Sequence, residues 1–536
     1  MSFNLIERQW IPVRTRHGTR KTIAPRQITE GSADDPIVAL DAPRADFNAA
    51  LIQFLIGLAQ TCIAPETKAQ WRKWFRDPPT PEVLQSGFSD VADAFNLDGD
   101  GPRFMQDLEL REGDLRPLED LLVDLTGNSH FIKPRVPAGL CLPCCATALF
   151  CLQTNSPEGG RGHFTSVRGG GPLTTLVKGQ KDNLWHTVWL NTLISTHFLG
   201  QFVGLKESKP DKFPWLAPTR TGESNKSTTP ADAHPSQIFW SMPRRIRIDF
   251  SDTEPGNCQI CRAESDTLVQ TYITRPYGVR YEGPWVHPLS PYIYDKHGLP
   301  QPRHARAGGL NYRQWLGLVQ EDASAGKSNP IIRKPAAVVR VYQERRPEGQ
   351  SLRLWAFGYD MDHMKAKCWY EGAMPLPGVK SEISDKFQGS VARMVRTAIV
   401  IGGNLGSCLK AAWFKRTKDV KGDTGFVDWE FWGRTEPGFF GALRALEEEL
   451  LSDPEQTPVA PVTLGDWHKR LCTEALRLFD EYATRGPIED EDPKRIAVAR
   501  NKLNGYNRAQ KVYDILGLAK PEKKQQAAET PPGKGD

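Results

Sequence analysis

Two pairs of cysteines have the spacing that a bound metal ion requires. Cys141 and Cys144 form one Cys-x-x-Cys pair, and Cys258 and Cys261 form a second. Each pair can present two thiolates from one tight turn, and four thiolates complete the tetrahedral set that Zn²⁺ prefers. Such a closed set leaves no position open for a substrate. The spacing therefore predicts a structural Zn²⁺ that joins two distant segments of the chain.

The cysteines also allow simpler interpretations. Cys145 and Cys151 lie beside the first pair, and free thiols of this kind are often small apolar core residues. The two pairs could likewise be buried thiols with a coincidental spacing. A redox pair is a third interpretation, but neither pair lies in a clear strand–helix–strand context.

A glycine-rich segment follows the first cysteine pair. Its glycines are Gly159, Gly160, Gly162 and the run 169–171. Glycine adopts positive φ at little steric cost and lets the backbone approach a partner closely. Four basic or polar side chains stand close by: Arg161, His163, Arg168 and Lys178. The segment is a candidate for binding an anionic partner, and a plain surface loop is the alternative.

An irregular loop at residues 126–139 precedes the first cysteine pair. It contains Phe131 together with the cations Lys133 and Arg135. An aromatic ring flanked by cations could stack on or brace a nucleic acid. The alternative is that Phe131 packs into the core and fixes the loop to it.

The composition is that of an ordinary globular protein. The chain has 536 residues and a formal net charge of +5, so any nucleic-acid footprint must be local. It opens without the pattern of a secretory signal, and ten cysteines in this length do not make a disulfide scaffold. The apolar segment 47–64 is too short and too polar for a membrane span and predicts a buried helix.

No catalytic motif is visible in the sequence. It lacks the Walker A phosphate loop, the His-Glu-x-x-His zinc motif and the Gly-x-Ser-x-Gly nucleophile turn, and its eleven histidines are scattered. Nothing in the motifs indicates an enzyme, although an enzyme stays possible because active sites can assemble from distant residues.

Hydrophobic periodicity predicts an α+β protein. Residues 3–24 are typical of a β-hairpin and residues 45–78 of helices, and strand patterns occur at 336–343 and 352–359. Four helical patterns separated by short loops then favour an antiparallel bundle. They cover residues 384–415, 429–451, 463–484 and 493–517.

The predicted domain boundaries follow from this change of pattern. We expect a mixed α/β domain over residues 1–380 and a four-helix bundle over residues 384–517. Residues 518–536 have the composition of a disordered tail.

Several stretches together resemble one known family. Their order and spacing are similar to those of CasA, the large subunit of Cascade, the type I-E CRISPR surveillance complex. The stretches are NLIERQWIPV (4–13), CLPCCATALF (141–150), SVRGGGPLTTLVKG (166–179), CQIC (258–261), GPWVHPLSP (283–291) and the helical region after residue 384. The resemblance spans nearly the whole chain. It implies a mixed α/β domain particular to the family, a C-terminal four-helix bundle and a zinc site at the four cysteines.

The resemblance also implies a function in antiviral defence. A CasA-like protein is a non-catalytic, cytoplasmic subunit that recognises the protospacer-adjacent motif in double-stranded DNA and promotes duplex opening and R-loop formation. It also helps recruit the helicase-nuclease. Its expected partners are the other Cascade subunits, the guide RNA, the target DNA and that effector, with no membrane contact. The target sequence itself would be read by guide RNA pairing.

Two alternatives to this function stay open. One is a metal-dependent nuclease with an unrecognised site. The other is a zinc-stabilised assembly protein that makes no contact with DNA.

Individual residues take their expected roles from the resemblance. The family loop that enters the DNA minor groove maps onto residues 158–162, and so onto Gly159, Gly160, Arg161 and Gly162, with Arg161 at a position that is often glycine. A basic residue after the second cysteine pair maps onto Arg275.

Two further family elements map onto this sequence. The wedge that separates the duplex falls in a hairpin at 359–363, with His363 at the position of the family's glutamine. Lys365 and Lys367 beside it are candidates for phosphate contacts. The loop at 128–135 matches the element that reaches the guide RNA and the neighbouring subunit, and this assigns Phe131 and Lys133 to that contact.

Overall fold

The computed structural model describes most of the chain. The described residues are 2–31, 33–125, 139–179, 183–200, 207–306, 308–323, 331–345, 352–363, 365–416, 425–452, 461–485 and 492–521. The chain divides into two compact units. The first comprises Met1–Leu310 and Gln314–Gly378, and the second comprises Asn311–Arg313 and Val379–Asp536. Most of the predicted tail, residues 522–536, lies outside the described residues.

The strands of the first unit form small antiparallel sheets. They are β1 Ile11–Thr15, β2 Arg20–Ile23, β3 Ile37–Leu40, β4 Asp114–Pro117, β5 Leu140–Cys141, β6 Thr174–Gly179, β7 Arg245–Asn257, β8 Glu264–Arg275, β9 Tyr292–Tyr294, β10 Pro300–Pro302, β11 Asp322–Ala323, β12 Ile332–Lys334, β13 Leu352–Asp362 and β14 Lys365–Leu376. The sheet orders are β2-β1-β3, β10-β9-β12-β11, β14-β13-β6 and β4-β8-β5, with β7 also paired to β8.

Two long hairpins extend from these sheets. In β7–β8 the register pairs Arg245 with Arg275 at one end and Asn257 with Glu264 at the other. In β13–β14 it pairs Leu352 with Leu376 and ends at Asp362 opposite Lys365. The turn of each hairpin therefore carries residues that the sequence marks as functional.

Helices cover the remaining faces of the first unit. They are α1 Ala45–Cys62, α2 Lys68–Arg76, α3 Pro81–Ser89, α4 Leu142–Asn155, α5 Leu184–Leu190, α6 Ser195–Leu199, α7 Lys209–Lys212 and α8 Ala337–Arg345. Helix α1 is buried on almost every side, and its Phe54 ring is the centre of the aromatic core. Five rings meet Phe54 edge-on at centroid distances of 5.4–5.9 Å: Trp10, Phe95, Phe104, Phe150 and Trp240. Edge-on aromatic pairs add stabilisation beyond the burial of their area.

The second unit is helical. Its helices are α9 Ser384–Trp413, α10 Gly425–Ser452, α11 Pro461–Ala483, α12 Pro493–Asn507 and α13 Gln510–Leu516. Helix α9 packs against all of the others. Tyr312 belongs to this unit, because its ring stacks on Phe439 at 4.4 Å and its hydroxyl bonds to Thr435 at 2.7 Å. Across the described residues of both units, no helix combines the length and the apolar character needed to span a membrane.

The predicted α+β fold class is confirmed, while some predicted elements are wrong. Residues 337–345 form helix α8 rather than a strand. Ala336, Val339 and Tyr342 are buried at helical spacing, so packing overrides the strand propensity of the three valines in this segment. The predicted fourth helix is two helices, α12 and α13, separated at Arg508 and Ala509.

Candidate nucleic-acid interface and metal centre

Four cysteine sulfurs converge in the first unit. The Sγ atoms of Cys141, Cys144, Cys258 and Cys261 all lie within 4.8 Å of one another. The Sγ atoms of Cys141 and Cys261 are 3.6 Å apart. Four sulfurs at the usual Zn–S distance, arranged as a tetrahedron, lie about 3.8 Å apart. The cluster has the size and the donor chemistry to bind a metal ion.

Strand pairing explains why cysteines more than a hundred residues apart meet. Cys141 ends β5 and caps the N-terminus of α4, and β5 pairs with β8 through Cys141 and Leu268. The other two cysteines lie in the turn between β7 and β8. That turn is closed by hydrogen bonds from Cys258 N to Ala263 O and from Arg262 N to Cys258 O, both 2.9 Å.

The electrostatics of the cluster favour a bound cation. The thiols of Cys141, Cys258 and Cys261 and the burial of the site raise the pKa of the Cys144 thiol well above its usual range. Four thiolates cannot share so small a volume without a positive charge among them, because like charges this close together in a buried site repel one another strongly. The sequence-based prediction of a four-cysteine metal site is thus supported by the geometry.

The glycine loop, residues 158–163, is a tight reversal of the backbone. Gly159 N donates to His163 O at 3.2 Å. Gly160 has φ +43° and Gly162 has φ +78°, values that side chains other than hydrogen disfavour. Arg161 lies between these two glycines and is exposed. Between Gly159 and Gly162 the loop is a thin strip of backbone with one large side chain, Arg161, and the exposed Glu158 and His163 flank this strip.

The end of β8 holds the glycine loop in place. Tyr277 N donates to Gly162 O at 2.7 Å. A Cβ on Gly162 would lie 2.7 Å from that same nitrogen and 2.9 Å from Pro276 Cβ. Close approach of two backbones requires glycine here. The Arg161 guanidinium also bonds to the Tyr277 hydroxyl through Nε.

Arg244 forms hydrogen bonds to the residues that precede the glycine loop. Its guanidinium donates to Pro157 O, and its backbone N–H donates to Gln153 Oε1 at 3.0 Å. Burial lowers the pKa of Arg244 to about 10, so this side chain remains charged at neutral pH. Burial, Arg244 and then Arg116 lower the pKa of His163 in the loop.

The β13–β14 turn places His363 at an exposed tip. His363 has φ +52°, and strand pairing ends on either side of it at Asp362 and Lys365. Lys365 is exposed, whereas Lys367 pairs with Asp362 at 3.1 Å. The predicted hairpin at 359–363 exists, with its histidine in the turn.

A second glycine run connects the glycine loop to this hairpin. A Cβ on Gly170 would lie 3.2 Å from Pro157 Cα, and one on Gly171 would lie 2.7 Å from Met361 Cγ. Residues 169–171 thus touch the base of the glycine loop on one side and the hairpin on the other. The structure brings together the glycine loop, the end of β8 and the β13–β14 hairpin.

Of the other predicted site residues, the structure describes Arg275 but not Phe131 or Lys133. Arg275 lies at the end of β8, two residues before Tyr277, and is exposed, with Glu112 at 3.8 Å. Phe131 and Lys133 lie outside the described residues.

Two of the four basic or polar side chains near the glycines make contacts within the protein. Arg168 is only 3% exposed and donates to Gln53 Oε1, Thr174 Oγ1 and Ser290 Oγ at 2.6, 2.9 and 3.1 Å. It braces the core, because Gln53 and Ser290 come from two segments more than a hundred residues away along the chain. Lys178 lies against the Trp355 ring, with Nζ 5.2 Å from the ring centre.

Sequence reasoning missed two residues of this site. Tyr277 contacts the glycine loop by backbone and side chain, and Arg244 bonds to its base. The turn composition of Pro276-Tyr277-Gly278 is the one local signal, and it marks a turn without saying what the turn touches.

Three solved structures are similar to this chain. Thermobifida fusca Cse1 is 18% identical with a TM-score of 0.67, over 97% of this chain and 99% of that protein. Thermus thermophilus CasA is 17% identical with a TM-score of 0.64, over 96% of this chain and 99% of that protein. A protein in a structure described as a CRISPR RNA-guided surveillance complex is 18% identical with a TM-score of 0.66, over 95% of this chain and 100% of its own. These similarities establish a shared fold.

The sequence also matches a family directly. The family described as CRISPR-associated protein Cse1 matches residues 4–478, a range that contains the four cysteines, the glycine loop and the β13–β14 hairpin. The resemblance inferred from the sequence segments is confirmed by this match and by the shared fold. The chain belongs to the Cse1 family of CRISPR-associated proteins.

Proposed function

We propose that this chain is the non-catalytic large subunit of an RNA-guided surveillance complex and that it recognises the protospacer-adjacent motif in duplex DNA. One observation carries the proposal: the glycine loop, the exposed Arg275 at the end of β8 and the His363 hairpin lie together in the first unit. A relative of the same fold comes from a structure described as a CRISPR RNA-guided surveillance complex.

The glycine loop is suited to the minor groove of DNA. That groove is only about 6 Å wide, and residues 159–162 present backbone with one side chain, Arg161. Backbone amides and a guanidinium both donate to the acceptors on the groove floor. Arg275 and Lys365 add exposed positive charge for the phosphates on either side.

The β13–β14 hairpin is suited to opening the duplex beside the motif. Its tip carries His363 next to the pair Asp362 and Lys365, and Tyr359 anchors the hairpin in the core through a bond to Asp46 of 2.7 Å. A rigid wedge of this kind must offset an unstacking cost of a few kcal/mol per step with contacts elsewhere. The glycine loop and Arg275 supply such contacts in this proposal.

The cysteine cluster fits a structural role for Zn²⁺. Cys141, Cys144, Cys258 and Cys261 would hold the ion, which would fix the β7–β8 turn to the start of α4. Four thiolates fill the tetrahedral coordination of Zn²⁺ and leave no position for a substrate or a water nucleophile. The metal would therefore stabilise the fold around β8 rather than cleave DNA.

The remaining contacts of the subunit belong to the same proposal. Phe131 and Lys133 would reach the guide RNA and the neighbouring subunit, and the chain would help recruit the helicase-nuclease once the duplex is open. The whole assembly would act in the cytoplasm, where its DNA targets are found.

The assembled guide-loaded complex provides the decisive test. Short target duplexes with and without a flanking motif are titrated against complexes that contain the wild-type chain, Arg161→Ala or His363→Ala. We expect both variants to lose target binding by about tenfold or more while the guide RNA stays bound. Arg220→Ala is a matched control, because Arg220 pairs with Asp211 at 3.2 Å and does not contact the glycine loop.

Other results would point to the alternatives. Normal target binding by both variants would show that these residues do not contact DNA. A lack of crosslinks between DNA and residues 158–162 would favour an assembly protein. Metal-dependent DNA cleavage by the pure chain, if abolished by a single substitution, would favour a nuclease.

A further inference from the structure

Tyr277 contacts Arg161, the one large side chain between Gly159 and Gly162. Its hydroxyl accepts a hydrogen bond from Arg161 Nε. The guanidinium carbon lies 5.9 Å from the centre of the Tyr277 ring, at the outer limit of about 6 Å for a cation–π contact. The hydroxyl therefore provides the main contact, and the ring face contributes little.

This contact leaves the outer part of the Arg161 guanidinium available. Only Nε is engaged, and the two terminal nitrogens make no hydrogen bond or ion pair with any residue that the structure describes. The guanidinium is a rigid fork of donors. Fixing it at Nε directs the pair of terminal NH₂ groups while leaving four N–H donors for a partner.

The backbone that carries the Tyr277 side chain is held firmly. It has φ +62° and donates to Gly162 O at 2.7 Å. On the next residue, Gly278, a Cβ would lie 1.9 Å from Pro243 O, so the turn is packed too closely to move easily. The Tyr277 phenol therefore extends from a fixed backbone rather than from a mobile surface loop.

We infer that Tyr277 is a positioning residue that aims Arg161 at the minor-groove acceptors of one A·T base pair in the flanking motif. This inference rests on the proposed function. A·T and T·A pairs present only acceptors in the minor groove, whereas a G·C pair adds the guanine 2-amino donor. An Arg161 guanidinium held in one position donates hydrogen bonds to the acceptors of an A·T pair. The 2-amino group of guanine is itself a donor, so it disfavours the same guanidinium at a G·C pair. A narrow A·T-rich groove also has the more negative potential.

Modified bases distinguish reading in the minor groove from reading in the major groove. In duplexes bound by the assembled complex, each flanking base pair is made in turn A·T, G·C, inosine·C or 2,6-diaminopurine·T. Inosine·C lacks the 2-amino group but keeps the major groove of G·C, and diaminopurine·T adds the amino group to A·T. At one position we expect A·T and inosine·C to bind about tenfold more tightly than G·C and diaminopurine·T.

Substitutions then assign this discrimination to the two residues. Tyr277→Phe keeps the ring and the backbone bond to Gly162 but removes the hydroxyl, and we expect the tenfold ratio to fall to about threefold or less. Arg161→Ala should remove the ratio altogether. Arg280→Ala is the matched control and should keep it, because Arg280 also lies near an aromatic ring, Phe164 at 6.0 Å, but is paired with Glu282 at 2.7 Å.

The outcomes distinguish this inference from the proposed function. An unchanged ratio in Tyr277→Phe would overturn the positioning role of Tyr277. If duplexes with inosine·C bind with the same affinity as duplexes with G·C at every position, Arg161 does not read the minor groove. That conclusion would hold even if the complex still depends on its flanking motif. If wild-type binding does not depend on the flanking duplex at all, the proposed function itself is wrong.

Discussion

The hydroxyl of Tyr359 donates a 2.7 Å hydrogen bond to the carboxylate of Asp46 across an interval of 313 residues. Asp46 lies in the first turn of α1 and is only 4% exposed, and it also receives two hydrogen bonds of 2.9 Å from Arg44. Burial and the neighbouring acidic groups raise the pKa of the Tyr359 phenol, which therefore remains a proton donor. The part of the β13–β14 hairpin next to its turn is in this way fixed to the buried helix α1.

Tyr359→Phe should loosen this connection. The substitution removes the hydroxyl from a buried carboxylate, and hydrogen bonds to charged groups contribute about 1.5–3 kcal/mol. We expect the free energy of unfolding of the first unit to fall by about 2 kcal/mol, as measured by urea denaturation. Tyr506→Phe should change it little, because Tyr506 is 51% exposed in the other unit. An unchanged stability in Tyr359→Phe would show that the bond contributes nothing to anchoring the hairpin.

Alanine at two neighbouring glycines should have unequal effects. Gly160 and Gly162 both have positive φ, which costs a non-glycine residue roughly 1–2 kcal/mol. Only Gly162 also lacks room for a Cβ, since nothing lies within 4 Å of the corresponding position on Gly160. We expect Gly162→Ala to displace the loop from Tyr277 and to weaken target binding by at least tenfold more than Gly160→Ala. Equal effects in a binding titration would argue against a loop held by the end of β8.

Removal of one cysteine should release the metal. We expect elemental analysis to find about one Zn²⁺ per wild-type chain, and Cys258→Ser to lose it together with thermal stability. Cys368→Ser should keep both, because Cys368 is exposed and stands apart from the cluster. A wild-type chain that contains no metal after purification without chelators would mean that the four thiols are merely buried neighbours.

One buried histidine should make the first unit sensitive to acid. Burial, and then the nearby Lys212, lower the pKa of His234 to about 4, and its Nδ1 accepts a hydrogen bond of 3.0 Å from Ser236 N. In the unfolded chain the same group titrates near pH 6.5. Between these two values the unfolded state binds more protons, so this histidine lowers the free energy of unfolding as the pH falls from about 6.5 to about 4.

His234→Asn isolates that contribution. Asparagine can accept the same N-cap hydrogen bond but does not titrate. In denaturation curves measured from pH 7 to pH 4, we expect the variant to lose less stability than the wild type. Parallel curves would show that His234 is not the group responsible.

Two lysines at the tip of the β13–β14 hairpin should differ in their salt dependence. If Lys365 contacts a phosphate, Lys365→Ala should reduce the slope of log K against log salt for target binding by about 0.9. Lys367→Ala should change the slope less, because the charge of Lys367 is already balanced by Asp362 at 3.1 Å. An unchanged slope in Lys365→Ala would remove that lysine from the DNA contact.

The sequence predicts local patterns better than tertiary contacts. The cysteine spacing, the glycine loop and the β13–β14 hairpin are local features, and short-range chemistry is enough to recognise them. The burial of Arg168 depends on Gln53 and Ser290, each more than a hundred residues away, and no local signal reveals it. Helix α8 escapes prediction for the same reason, since its valines favour a strand until the packing of the first unit is known.

The backbone bonds of the glycine loop have a consequence for how this protein could change. The bonds from Gly159 to His163 and from Tyr277 to Gly162 involve no side-chain atoms, so the scaffold and the residue at position 161 are genetically separable. If the loop reads the flanking motif as proposed, a single substitution at position 161 would alter which sequences are accepted while the shape of the loop persists. Phages that escape by mutating their flanking motifs would in that case meet a protein whose motif preference can change through one substitution.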